Sequence, residues 1–255
     1  MNSLLNEIKK WLISMGSSPS IFRFISIVIP WLYIISLALL IISLSWGLLL
    51  APSDYKQGDV YRIIYIHVPS AILGQSGFIL MAIFGFICLV WRAKIAGMVL
   101  RSIAPVGASF TFLALVSGSI WGKPTWGTWW VWDARLTSTL ILFFLYASII
   151  SLFSVIDKRQ KADRASSILS VVGIVIIPVI KKSVDWWQTL HQPSTFTITS
   201  APSMTPDMYL PLLICVIGFY SILFSILLNT LRAEILIRER NTSWVRQFLN
   251  NQIKE

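Results

Sequence analysis

The sequence predicts an all-α polytopic membrane protein with six transmembrane helices, both termini cytoplasmic, and an amphipathic tryptophan-rich segment on the outer side. Three observations predict it. Of 255 residues, 56% are hydrophobic and only 13% charged, about half the charged share of a soluble domain, roughly 25%. The apolar residues fall into six runs, and a span needs about 20 of them to cross roughly 30 Å of hydrocarbon. Lys and Arg are divided unequally between alternate connections, as the positive-inside rule requires.

The elements follow in order. Residues 1–23 form a cytoplasmic N-terminal segment and are expected to stay as an anchor, because the apolar stretch after them is too long for a signal-peptide core and lacks an A-x-A-like cleavage site. The transmembrane domain covers 24–231, with spans at 24–50, 69–91, 102–121, 136–156, 166–180 and 209–231. In the second span Ser70, Gly74 and Gly77 give a small face, by default a site of close helix packing. The fifth run covers only about 22 Å at 1.5 Å per residue. Its helix is therefore expected to continue past Lys181 and Lys182, whose long stems snorkel. Residues 232–255 form a cytoplasmic tail.

Fifteen Lys and Arg residues lie on the side of the two termini, including Lys9, Lys10, Arg23 and Lys254, and six lie on the other. The first side is therefore cytoplasmic, and 51–68, 121–135 and 181–208 are outer connections. A net charge of +10 would suit nucleic acid only if gathered on one soluble face; here it sits in short runs between apolar stretches, so nucleic acid is excluded and membrane lipid is the expected surrounding. Cys88 and Cys215 each sit inside an apolar run and offer neither a disulfide framework nor a CxxC motif. There is no repeat, phosphate loop, nucleophile motif or intramembrane carboxylate relay, which argues against an independent pump or hydrolase.

Residues 121–135 hold five of the chain's 12 tryptophans. With Pro124 opening a turn and Thr125 capping a short helix, Trp126, Trp129, Trp130 and Asp133 fall at i, i+3, i+4 and i+7, an aromatic wall ending in a carboxylate. An aromatic belt at the headgroup level is the plain alternative. A belt is spread around a bundle, however, whereas five indoles on one loop suit a planar apolar ligand.

The chain's two histidines, His67 and His191, fall on the same outer side. Each precedes a proline by two residues, which places it at a helix boundary or kink. Trp187 and His191, four apart, are expected to share a face. Singly, each histidine reads as an interfacial residue bonded to water or backbone. Together, flanking a tryptophan wall, they suit a flat metal-centred ligand, and haem fits. Zinc lacks ligands, since only Asp133 or Asp185 would join the pair. Copper through Met204 and Met208 stays open, although Met at that spacing is more often packing. Lys56, Arg62, Lys123, Arg135, Lys181 and Lys182 are candidates for haem propionates, with at least half of them better explained as snorkelling anchors.

Trp126-Gly-Thr-Trp129-Trp130-Val-Trp132-Asp133 matches the WGxxWxWD pattern of the WWD-domain haem-handling proteins. The stretch from Val184 to Pro193, which contains His191, resembles the second signature of the CcmC branch. Over about 24–231 the chain resembles the CcmC (haem exporter protein C) family of cytochrome c maturation system I; the related CcmF and CcsA proteins are larger and carry more histidines. The resemblance implies that His67 and His191 are axial ligands of haem b iron. It also implies that Trp126, Trp129, Trp130, Trp132 and Asp133 form the haem platform. It further implies presentation of haem on the periplasmic side to the haem chaperone CcmE, alongside CcmD and the ABC transporter subunits CcmA and CcmB, with ATP use belonging to CcmA. A transporter or chaperone subunit without an enzymatic site of its own is expected, in a bacterial inner membrane rather than a mitochondrial one. The alternative is a bis-His haem b electron-transfer subunit. Placement separates the two, because a redox haem is held between spanning helices whereas these histidines fall at the ends of apolar runs.

Overall fold

The structure is a computed structural model that describes residues 17–187, 189–192 and 204–252. Lys9, Lys10, Pro193 and Lys254 lie outside the described residues. Eight α-helices are found there: α1 Ser18–Ser45, α2 Ile64–Trp91, α3 Lys94–Trp126, α4 Ala134–Val155, α5 Arg159–Gly173, α6 Ile176–Trp186, α7 Pro206–Arg238 and α8 Ser243–Gln252. A π turn, Trp46–Leu50, extends α1, and a 3-10 turn, Asp59–Ile63, leads into α2. No strand occurs among the described residues. Six helical stretches are long and apolar enough to cross a membrane, with α5 and α6 together forming the fifth. Ser18 at the start of the first donates a hydrogen bond to Glu239 just past the sixth, at 2.7 Å, so both lie at one end of the bundle.

In hydrocarbon every backbone polar group must be satisfied within the chain, which is why six apolar runs become six helices. Helix bounds differ from apolar runs where charge is neutralised internally. The fifth stretch begins at Arg159, not at residue 166, and continues past Lys181 and Lys182 to Trp186 as expected. The sixth runs on through 232–238 to Arg238. Hydropathy ends a span at the first charges, but here they pair. The buried Arg238 guanidinium donates to both carboxylate oxygens of Asp163, at 2.5 and 2.7 Å, and to Glu234 at 2.5 Å. Arg101 and Arg159 approach Glu234 at 3.6 and 3.5 Å. Glu239 takes Lys94 at 2.8 Å and the Trp244 indole of α8 at 2.9 Å.

The main core lies among α2, α3, α4 and α5, around Phe78, Met98, Ile103, Leu142, Tyr146 and Ile149. The small face of α2 packs closely, as read from sequence. Tyr146 donates to the Gly74 carbonyl at 2.8 Å, and a Cβ on Gly107 would lie 2.3 Å from the Tyr146 hydroxyl oxygen. Any side chain there would displace the tyrosine. The first helix packs on α7 through the hydroxyls of Ser36, Ser221 and Ser225. The rest of its surface is largely exposed, as for a helix facing lipid.

Candidate functional site

At the end of the bundle opposite the ion-pair cluster, two helix ends and two connections converge. His67 occupies the first turn of α2, the helix boundary its proline suggested, although Pro69 sits inside the helix. The helix tolerates Pro69 because only one backbone bond near its start is lost. Facing His67 on α3 are Ser117, Gly118 and Trp121. A Cβ on Gly118 would lie 2.9 Å from His67 Cε1, so glycine lets the imidazole rest against the helix surface. The Trp121 indole meets the His67 ring edge-on, centroids 5.6 Å apart. Trp121 is fixed in turn by Gln57, whose Oε1 accepts its Nε1–H at 2.7 Å. The turn that presents Gln57 is built by Asp54, which accepts from the Lys56 and Gln57 amides, and by Gly58 in the left-handed region at φ 59°.

His191 lies on the connection after α6. That helix ends at Trp186, and Trp187 is extended, so the expected shared helical face of Trp187 and His191 does not form. What holds His191 is a relay of hydrogen bonds. Its backbone N–H donates to Thr189 Oγ1 at 3.0 Å, and the Thr189 hydroxyl donates to Asp133 Oδ2. Asp133 Oδ1 accepts the Leu136 amide at 2.8 Å as the N-cap of α4. The buried Asp133 carboxylate therefore ties the tryptophan segment to the histidine connection.

The imidazoles of His67 and His191 stand with centroids 6.5 Å apart. Both Nδ1 atoms are occupied, His67 by Ser117 Oγ at 3.1 Å and His191 by the Gln192 carbonyl at 2.8 Å. A carbonyl only accepts, so His191 carries its proton on Nδ1 and keeps the Nε2 lone pair. No side-chain hydrogen bond reaches either Nε2 among the described residues, and the Ala114 backbone also faces the His67 ring. Burial, and after it the positive charge of Arg135, push the His191 imidazole below its ordinary value of 6.5, against the Gln192 carbonyl and Asp133. The ring is thus neutral and ready to ligate a metal at neutral pH.

The tryptophan segment corrects the sequence reading. No short helix is capped by Thr125. Instead α3 runs through Pro124 to Trp126 and stops at Gly127, whose φ of 78° is left-handed and whose N–H returns to the Lys123 carbonyl at 3.0 Å. Pro124 is tolerated two residues from the helix end because it removes one bond only. Residues 128–133 then run without helix, so there is no i, i+3, i+4, i+7 stripe. Trp126 packs on His191, centroids 6.4 Å apart. Trp129, Trp130 and Trp132 line an apolar groove of about 590 Å³ with Phe112, Val116 and Phe143. By helical periodicity, about 100° per residue, Leu115 and Ser119 of that groove lie on the face of α3 nearly opposite Ser117 and Trp121. The structure therefore brings Trp126, but not the other three indoles, into ring contact with a histidine.

Of the six outer basic residues, Arg62 pairs with Asp59 at 3.1 Å and Lys182 with Asp185 at 3.0 Å. Lys123 donates to the Gly127 carbonyl and Lys56 lies over the Tyr55 ring. The Arg135 charge acts on both histidines, and its guanidinium makes no hydrogen bond or ion pair of its own among the described residues. No group of three His, Cys, Asp or Glu converges there, and Met204 and Met208 pack around Tyr61, Tyr65 and Leu212. Among the described residues zinc and copper thus find no third ligand beside the two histidines.

The model of the CcmC family, described as heme exporter protein C, matches residues 11–246. The chain belongs to the heme exporter protein C family. It is 45% identical over 240 residues to the heme exporter protein C of Escherichia coli K12, covering 94% of this chain and 97% of that protein. The Haemophilus influenzae heme exporter protein C is 43% identical over 237 residues, 93% of this chain and 96% of its own length. A putative cytochrome c biosynthesis ccmC-like mitochondrial protein of Marchantia polymorpha is 40% identical over 199 residues, 78% and 82% of the two chains. The family match extends into the N-terminal segment and to residue 246 in the first turn of α8, beyond the six-span core on which the sequence resemblance rested. Reading the sequence passed over Ser117, Gly118, Trp121, Gln57 and Thr189. Only Trp121, at the edge of the tryptophan segment, carried a compositional signal.

Proposed function

We propose that this family member binds haem b at the periplasmic rim of a bacterial inner membrane, with His67 and His191 as axial ligands, and hands it to the haem chaperone CcmE during cytochrome c maturation. One observation carries the reading: two imidazoles, each held by its Nδ1, with neither Nε2 taken by a side chain among the described residues and the rings 6.5 Å apart. Two imidazole–metal bonds of about 2 Å plus half of each ring roughly fill that spacing. Haem is cargo here, and the chain's own groups do the work. The histidines hold the iron, Trp126 covers the plate beside His191, and Arg135, whose guanidinium makes no close ion pair among the described residues although Asp133 and Asp185 stand near it, is the candidate for a propionate. Trp129, Trp130 and Trp132 line the adjoining groove, and Asp133 keeps the His191 connection in place. CcmD, CcmA and CcmB are the partners that the family resemblance implies, with nucleotide hydrolysis on CcmA.

His67 packs against α3 near one end of the bundle and His191 lies on a connection outside the spanning helices, which favours hand-over of the ligand over electron transfer. The test is the visible spectrum of the purified protein beside His67→Ala and His191→Ala. Wild type is expected to carry a bis-imidazole haem spectrum that each variant loses, and the His191→Ala strain is expected to accumulate no covalent haem on the chaperone partner. A haem-free wild type, or unchanged haem on the partner, would overturn the reading.

A further inference from the structure

We propose that Ser117 is a positioning residue for the His67 ligand: its hydroxyl selects which imidazole nitrogen faces the iron and how strong a donor that nitrogen is. The inference rests on the haem seat proposed above. Ser117 lies in the penultimate stretch of α3, 5% exposed. A serine has one proton to give, and it goes to the Leu113 carbonyl at 2.6 Å, with the Ala114 carbonyl behind at 3.3 Å. The oxygen can then only accept. What it accepts, at 3.1 Å, is the Nδ1–H of His67. The proton is therefore on Nδ1, and the Nε2 lone pair is the one left to bind metal.

The opposite tautomer would require Ser117 to turn its proton away from Leu113 toward Nδ1, giving up a 2.6 Å hydrogen bond. Two neighbours hold the ring against this acceptor. Gly118 supplies clearance, since a Cβ there would stand 2.9 Å from His67 Cε1, and the Trp121 indole bounds the ring on its edge. Ser117, Gly118 and Trp121 thus form one face of α3 that fixes His67 in place, in tautomer and in tilt. An acceptor on the far nitrogen also makes a metal-bound imidazole more basic, and losing such a partner typically weakens metal affinity about 10–100-fold. His191 has no counterpart on a spanning helix; its acceptor is the carbonyl of the adjacent residue on the connection.

The experiment compares full-length wild type, Ser117→Ala and Ser117→Thr, purified in detergent and loaded with haem. Haem retention, the visible spectrum and the haem reduction potential are measured, with the unfolding midpoint of each haem-free protein as the packing control. In Ser117→Ala, retention is expected to fall about 10–100-fold, the ligand-sensitive bands to shift, and the potential to rise, because a less basic imidazole stabilises ferric iron less. Ser117→Thr, which keeps the hydroxyl, is expected to restore all three. Wild-type values in Ser117→Ala overturn the inference while leaving the haem seat intact. Threonine behaving like alanine also overturns it, since the loss would then come from packing. A wild type that takes up no haem overturns the seat and the inference together.

Discussion

Asp133 performs two separable tasks, and pulling them apart tests how the site is held. Its Oδ1 caps α4 through the Leu136 amide at 2.8 Å, and its Oδ2 accepts the Thr189 hydroxyl that positions the His191 backbone. Losing an N-cap costs about 1 kcal/mol. A hydrogen bond to a charged group in buried surroundings is worth about 1.5–3 kcal/mol. Asp133→Ala should therefore lower unfolding stability by about 2.5–4 kcal/mol. Asp133→Ser keeps the cap but is too short to reach Thr189, so it should leave helix stability near wild type while weakening haem binding. If the whole link is expressed in the placement of His191, the loss is at most about 100-fold, at 1.4 kcal/mol per tenfold. Thr189→Val should match it. The assay is haem titration of both single variants and the double variant, alongside thermal unfolding. Because both changes cut one relay, the double variant should bind haem no worse than either single. Losses that multiply would refute the relay.

Three further outcomes are expected. Gly118→Ala places a Cβ 2.9 Å from His67 Cε1; it should disturb the haem spectrum while keeping the helical circular dichroism, and an unaltered spectrum would count against the close contact. The depressed His191 value means that protonation is disfavoured and the neutral ring persists below the ordinary 6.5. Haem retention should accordingly be flat from neutral pH down through 6.5 and be lost only below it, as read from a spectral pH titration; half-loss at or above 6.5 would contradict this. Arg238→Met leaves the buried Asp163 carboxylate without its guanidinium and Glu234 with only the more distant Arg101 and Arg159, which should cost about 3–5 kcal/mol in thermal unfolding and leave the haem spectrum unchanged at the far end. A stability within about 1 kcal/mol of wild type would show that the cluster is not a unit.

Much of the architecture is legible in the sequence because a solvent without hydrogen-bonding partners leaves the chain few choices. Six apolar runs become six helices, and even the short fifth run extends past Lys181 and Lys182 as their snorkelling stems suggest. The two histidines are legible for a different reason: they are the chain's only imidazoles, both flanked by prolines at the ends of apolar runs. The arrangement of the tryptophans is not legible. Whether Pro124 opens a turn or rides inside α3 depends on the last helical turn surviving one lost bond, and Gly127 settles it by reversing the chain after Trp126. Ser117 is illegible too. It is one of many serines in spanning helices, most of which bond their own i−4 carbonyl, and nothing local marks the one with an imidazole beside it. Asp163, Glu234 and Arg238 escape hydropathy altogether, because a scale that counts charges as span ends cannot see them cancel.

That cancellation separates two electrostatic properties usually treated as one. Lys94, Arg101, Arg159 and Arg238 belong to the majority that orients the chain, yet in the finished bundle each faces Asp163, Glu234 or Glu239. Insertion machinery meets Lys94, Arg101 and Arg159 before Glu234 and Glu239 have arrived, and acidic residues weigh little in that decision. The mature surface offered to anionic headgroups is correspondingly paler than the nascent chain's lysines and arginines advertise: the charges counted for orientation are ones that folding afterwards pairs with carboxylates.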